Sequence, residues 1–70
     1  MMPLSLAVPG EENTVLRVVG SAEVRQHLAD LGFVAGAGVS LVSRLGGSVI
    51  VKIKGSRVAV SEEMARKIMI

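Results

Sequence analysis

Between Leu28 and Val42 the chain reads LADLGFVAGAGVSLV, and helical spacing gives way to strand alternation across three glycines. Val24, Leu28 and Leu31 fall at i, i+4 and i+7, one face of a helix. Gly32 follows at the position where a helix ends in left-handed backbone, a conformation that disfavours a β-carbon. Phe33, next in line, is then placed to pack back on Leu28. Gly36 and Gly38 mark a tight turn into Val39-Ser40-Leu41-Val42. A helix cannot continue through this segment, so the chain must pack a short helix against strands.

The helix is expected over Ser21–Leu31, with Ser21 as N-cap and Glu23 at the positive end of its dipole. Before it, Thr14–Val19 reads as one β-branched strand, with Leu16 and Val18 on one face and Val15 and Val19 on the other. After it come a strand over Val39–Arg44, a Gly46-Gly47 hairpin and a strand over Ser48–Lys54. In the last of these Val49, Val51 and Ile53 face in, and Ile50, Lys52 and Lys54 face out. Gly55-Ser56 reads as a second hairpin turn, of the type with Gly first, leading to a return strand over Arg57–Val60. Ser61 caps a short helical turn with Glu62 and Glu63 at its start, and Ile68–Ile70 forms a last strand. The leading Leu4-Ser5-Leu6 is a short apolar strap that ends in a turn at Pro9-Gly10.

Short connections favour antiparallel pairing, and short strands on a small core tend to close on themselves. The expected fold is mainly β: a small SH3-like barrel of about five short antiparallel strands, with one inserted helix and a C-terminal helical turn. A split α+β sheet with the helix lying across it is the alternative. Seventy residues make one domain, 1–70. Half the residues are hydrophobic, yet there is one Phe and no Trp, Tyr or Cys, so the core is aliphatic and neither disulfides nor thiolate metal sites are available.

From Met1 to Gly10 no basic, apolar leader is visible. The apolar run Leu31–Val42 falls short of the ~20 residues a membrane helix needs. A cytoplasmic location is expected. The net charge is only +2, but Arg44, Lys52, Lys54, Arg57, Arg66 and Lys67 lie in the second half against Glu62 and Glu63 alone. That asymmetry can steer an acidic partner toward the second half; the competing reading is the solvated face of a sheet.

Chemistry is scarce. The one histidine, His27, lies four residues after Glu23 and three before Asp30, so the trio shares a helix face. Oxygen donors with one imidazole suit weak binding of ferrous iron or zinc. The competing reading is a solvated helix face. No serine or threonine is placed by sequence beside His27, and the glycines of 32–38 are not followed by Gly-Lys-Ser/Thr, so neither a catalytic nor a cofactor-binding residue is expected. Basic strands at Arg44, Lys52, Lys54 and Arg57 suit phosphates, but base stacking needs aromatics and only Phe33 is present. No nucleic-acid partner is expected. What remains is a protein-binding surface, drawn from Leu31, Phe33, Val34, Ile50, Lys52, Lys54 and Arg57, with Leu45 as a further apolar candidate. For Phe33 a core role is the equal alternative.

Four pieces in order carry a family resemblance: Leu4-x-x-Ala7-x-Pro9-Gly10-Glu11; Arg17-Val18-Val19-Gly20; Leu28-x-x-Leu31-Gly32-Phe33-Val34-x-Gly36-x-x-Val39; and Val51-x-Ile53-Lys54-Gly55-Ser56-Arg57-Val58-Ala59-Val60, followed by Ala65-x-x-Ile68. In these the chain resembles the FeoA-type proteins, small cytoplasmic accessories of bacterial ferrous-iron uptake. It departs from the pattern at Ala35, where many members carry Pro, at Gly38, where a polar or acidic residue is usual, and at Ile50, often polar. The resemblance implies an SH3-like barrel and a non-enzymatic adaptor that binds the cytoplasmic GTPase region of a FeoB-type transporter, meeting the membrane only through that partner. The alternative it allows is a metal-responsive or oligomerising module of the kind at the C-terminus of iron-dependent repressors, including a homo-oligomer.

Overall fold

Helix α1 (Ala22–Asp30) begins where Ser21, in extended backbone, accepts the Val24 N–H on its Oγ at 3.2 Å. It ends as the glycine signal requires. Gly32 takes φ +109°, its N–H bonds the Ala29 carbonyl at 2.9 Å, and the Phe33 N–H bonds the Leu28 carbonyl at 3.0 Å. That pair of bonds is the Schellman arrangement, and it swings Phe33 back over Leu28 into the core. Both side chains are buried.

This computed structural model describes residues 1–70. A 3-10 turn (Leu4–Leu6) leads into β1 (Glu12–Thr14) and β2 (Arg17–Val18), then α1. Next come β3 (Gly38–Leu45), β4 (Ser48–Ile53), β5 (Ser56–Ser61), a one-turn helix α2 (Glu62–Ala65) capped by Ser61, and β6 (Ile68–Met69). One antiparallel sheet runs in the order β1-β3-β4-β5, and a second pairs β2 with β6. Val39, Leu41, Val49, Val51, Ile53 and Val60 line the inner face of the larger sheet. Leu4, Leu28, Phe33 and Ile68 close over them. No helix is long and apolar enough to cross a membrane.

Three sequence expectations need correction. The expected Thr14–Val19 strand is not one strand: β1 begins two residues earlier and ends at Thr14, and β2 keeps only Arg17–Val18, in the other sheet. The Val15 N–H bonds the Ala37 carbonyl, while the Leu16 N–H bonds the Met69 carbonyl, so the chain changes sheets between them. The step leaves Val15 fully buried and Leu16 51% exposed, against the alternation that paired Leu16 with Val18.

The second correction is the β4–β5 turn. Ile53 faces Ser56, so the two turn residues are Lys54 and Gly55, one place earlier than expected. Both have positive φ, 52° and 75°, the signs of a type I′ turn rather than one with Gly first. Lys54 therefore sits in the turn and not at the end of the strand.

The third concerns Arg44. The β3–β4 register slips between Leu41 and Ser43, leaving Val42 as a bulge. An extra residue reverses the side-chain parity beyond it. Arg44 thus pairs with inward-facing Val49, and its guanidinium donates to the Ser5 carbonyl and, at 3.2 Å, to the Ala7 carbonyl. Arg44 clasps the N-terminal strap instead of joining the basic outer face. Arg44→Ala should lower stability by about 1.5 kcal/mol, the scale of hydrogen bonds from a charged donor. Urea titration checks this, and an unchanged midpoint would contradict the clasp.

Candidate functional site

The bulge and the two hairpins fix which side chains share the outer face of the larger sheet. Cross-strand partners lie on the same face, so one row runs Glu12, Ser40, Lys52, Arg57. The next row is Ser43, Ile50, Ala59, and the one beyond it is Leu45, Ser48, Ser61. Lys52 and Arg57 face one another in register, a like-charge pairing that costs stability. Neither forms an ion pair: the one ion pair in the chain joins Arg66 and Glu62 at 3.5 Å, and Glu12, the acid of the same row, stands two strands away from Lys52. Beside this basic pair lie half-buried Ile50, exposed Ala59 and Leu45, the last 74% exposed. The arrangement sets three apolar side chains among serines beside an unpaired basic couple, a mixed surface that suits a protein-binding patch.

Of the expected contact residues, Ile50, Lys52 and Arg57 come together here. Lys54 stands at the hairpin turn of the same strands. Its stem leans over the end of α1, with Cδ 3.3 Å from where a Gly32 β-carbon would stand. Leu31 is half-buried against the core, and Val34 is 43% exposed just beyond Gly32. Phe33 is a correction: at 1% exposure it is a core side chain with nothing to offer a partner. The cap that aims it back at Leu28 is the reason. Sequence reading did not single out Leu6, Val8 and Leu16, all exposed. Leu6 and Val8 flank Ala7, whose carbonyl Arg44 holds, and only the clasp and the sheet change explain why these apolar residues face out.

Glu23, His27 and Asp30 are exposed along α1, but no three His, Asp or Glu side chains of the chain converge into a metal-sized cluster. The Asp30 carboxylate instead accepts a hydrogen bond from Gln26 Nε2 at 2.9 Å.

The FeoA domain family, as a sequence model, matches residues 2–70. The chain belongs to the FeoA family. An Fe(2+) transport protein A, by its name, from Methanocaldococcus jannaschii is 33% identical over all of this FeoA chain and 85% of its own length. A crystal structure of an iron uptake regulatory protein (FeoA) superposes with a TM-score of 0.89 at 29% identity, covering 97% of this chain and 90% of that one. The zinc-complexed FeoA of Stenotrophomonas maltophilia, described as a prokaryotic SH3 domain protein, superposes with a TM-score of 0.83 at 25% identity over 99% of this chain and 88% of that one. The FeoA fold here is accordingly the SH3-like barrel, with six strands rather than about five because the Thr14–Val19 segment divides.

Proposed function

We propose that this chain is a non-enzymatic, cytoplasmic accessory of ferrous-iron uptake that docks on the cytoplasmic GTPase region of a FeoB-type membrane transporter. Family membership supports the iron-uptake setting. The observation that carries the docking is the outer face of β3, β4 and β5, where Lys52 and Arg57 oppose each other without an ion-pair partner and border Ile50 and Ala59, with Leu45 one row beyond. A like-charge pair kept in register is a standing cost that an acidic partner surface converts into attraction. Leu31, Val34 and Lys54 extend the surface past the hairpin turn. The membrane is reached only through the partner, and the mechanism needs no metal on this chain.

Co-purification of the chain with the cytoplasmic region of such a transporter tests the reading, with GTP, with GDP and without nucleotide. Retention in at least one state is expected. No binding in any state at high micromolar concentration would overturn it.

A further inference from the structure

The large sheet ends at β5, which pairs with β4 and nothing else. Because a two-residue turn joins them, the flanking pair Ile53 and Ser56 exchanges both backbone hydrogen bonds, and bonded pairs then alternate along the ladder. Val51–Val58 and Val49–Val60 are therefore bonded pairs, while Lys52–Arg57 and Ile50–Ala59 are not. The N–H and C=O groups of Arg57 and Ala59 consequently point away from β4, toward the open edge. Both residues are exposed, and neither makes a backbone hydrogen bond to a turn, loop or cap.

An open edge is a template for another strand. This one carries its own filter, because Arg57 lies on it and Lys52 stands directly behind. We propose that the β5 edge accepts an extended, acid-rich segment of another protein as an added strand, with acidic side chains over Lys52 and Arg57 and apolar ones beside Val58. This rests on the docking reading above and specifies how the partner is held. A second β5 edge is repelled by the same charges. The opposite edge of the sheet does carry Glu11 and Glu12, but β1 spans only three residues. A second copy is the poorer occupant.

Amide hydrogen exchange on the full chain tests the edge, using as probe an acetylated octapeptide of alternating Glu and Val at millimolar concentration. The amides of Arg57 and Ala59 should slow by about tenfold or more, and the same peptide with Lys for Glu should leave them unchanged. Ala59→Pro removes an N–H that the β4 ladder does not use, so it should fold and lose this protection. Arg57→Glu places a carboxylate opposite Lys52. It should raise the unfolding midpoint and still weaken the peptide, a combination that a merely structural role does not produce. Unchanged exchange at Arg57 and Ala59 with the Glu peptide, equal protection by the Lys peptide, or protection that grows with protein concentration alone would each overturn the proposal. The transporter region provides a separate arm. If it binds the native chain and Ala59→Pro equally, the edge is wrong and the docking stands. If it binds neither, the docking falls, and the peptide still decides the edge.

Discussion

Phe33→Ala should remove most of the stability of this domain. Phe33 is the largest of the fully buried side chains and the one aromatic in the sequence. Truncating a buried Phe costs about 3–5 kcal/mol, the lost transfer energy plus the cavity left behind. A chain of this length has roughly 3–10 kcal/mol in total, at about 0.05–0.15 kcal/mol per residue. The core residues around it belong to a capped helix, a clasped strap and a sheet, so little relaxation is available. Urea titration of the variant should show a transition near zero denaturant or none at all. A loss below about 1 kcal/mol would mean that Phe33 is not in the core.

Gly32→Val should cost about 2–3 kcal/mol, from two causes that can be separated. Gly32 holds φ +109°, beyond the region L-residues tolerate well, and the site is crowded: a β-carbon would meet Lys54 Cδ at 3.3 Å, Lys54 Cε at 3.4 Å and Ile53 Cγ1 at 3.5 Å. Lys54 can swing aside; Ile53 belongs to the core. Gly36 is the internal control. It has φ +92° with nothing within 4 Å of a β-carbon. Gly36→Ala therefore reads backbone strain alone, and Gly32→Ala should exceed it by the crowding. Equal unfolding free energies for native and Gly32→Val proteins would show that the helix does not end on this cap.

The parts of the fold legible in the sequence are those written locally. Ser21, Gly32 and Phe33 lie within one helix and its cap, and Val49, Val51 and Ile53 carry their alternation on consecutive residues. The parts that were not legible depend on partners distant in the chain. Val15 and Leu16 look like neighbours in one strand until Ala37 and Met69 claim their N–H groups in different directions. Nothing in the Leu41-Val42-Ser43 run announces a bulge, yet that bulge decides that Arg44 turns inward to the strap. The β4–β5 turn slipped by one residue because Lys54, a residue that tolerates positive φ poorly, occupies it. The candidate surface was legible in the same measure. Ile50, Lys52 and Arg57 follow from alternation, and the cap at Gly32 already aims Phe33 at Leu28, so its burial was one of the two roles the sequence left open.

The proposed docking surface is the outer face of β4 and β5, and a charge reversal there addresses it most directly. Titration calorimetry should compare the native chain with the Lys52→Glu/Arg57→Glu double variant, each against the cytoplasmic region of a FeoB-type transporter. The double variant should keep its thermal unfolding midpoint within a few degrees and lose affinity by about tenfold or more, at least about 1.4 kcal/mol. Equal affinity for the two proteins would contradict the docking surface.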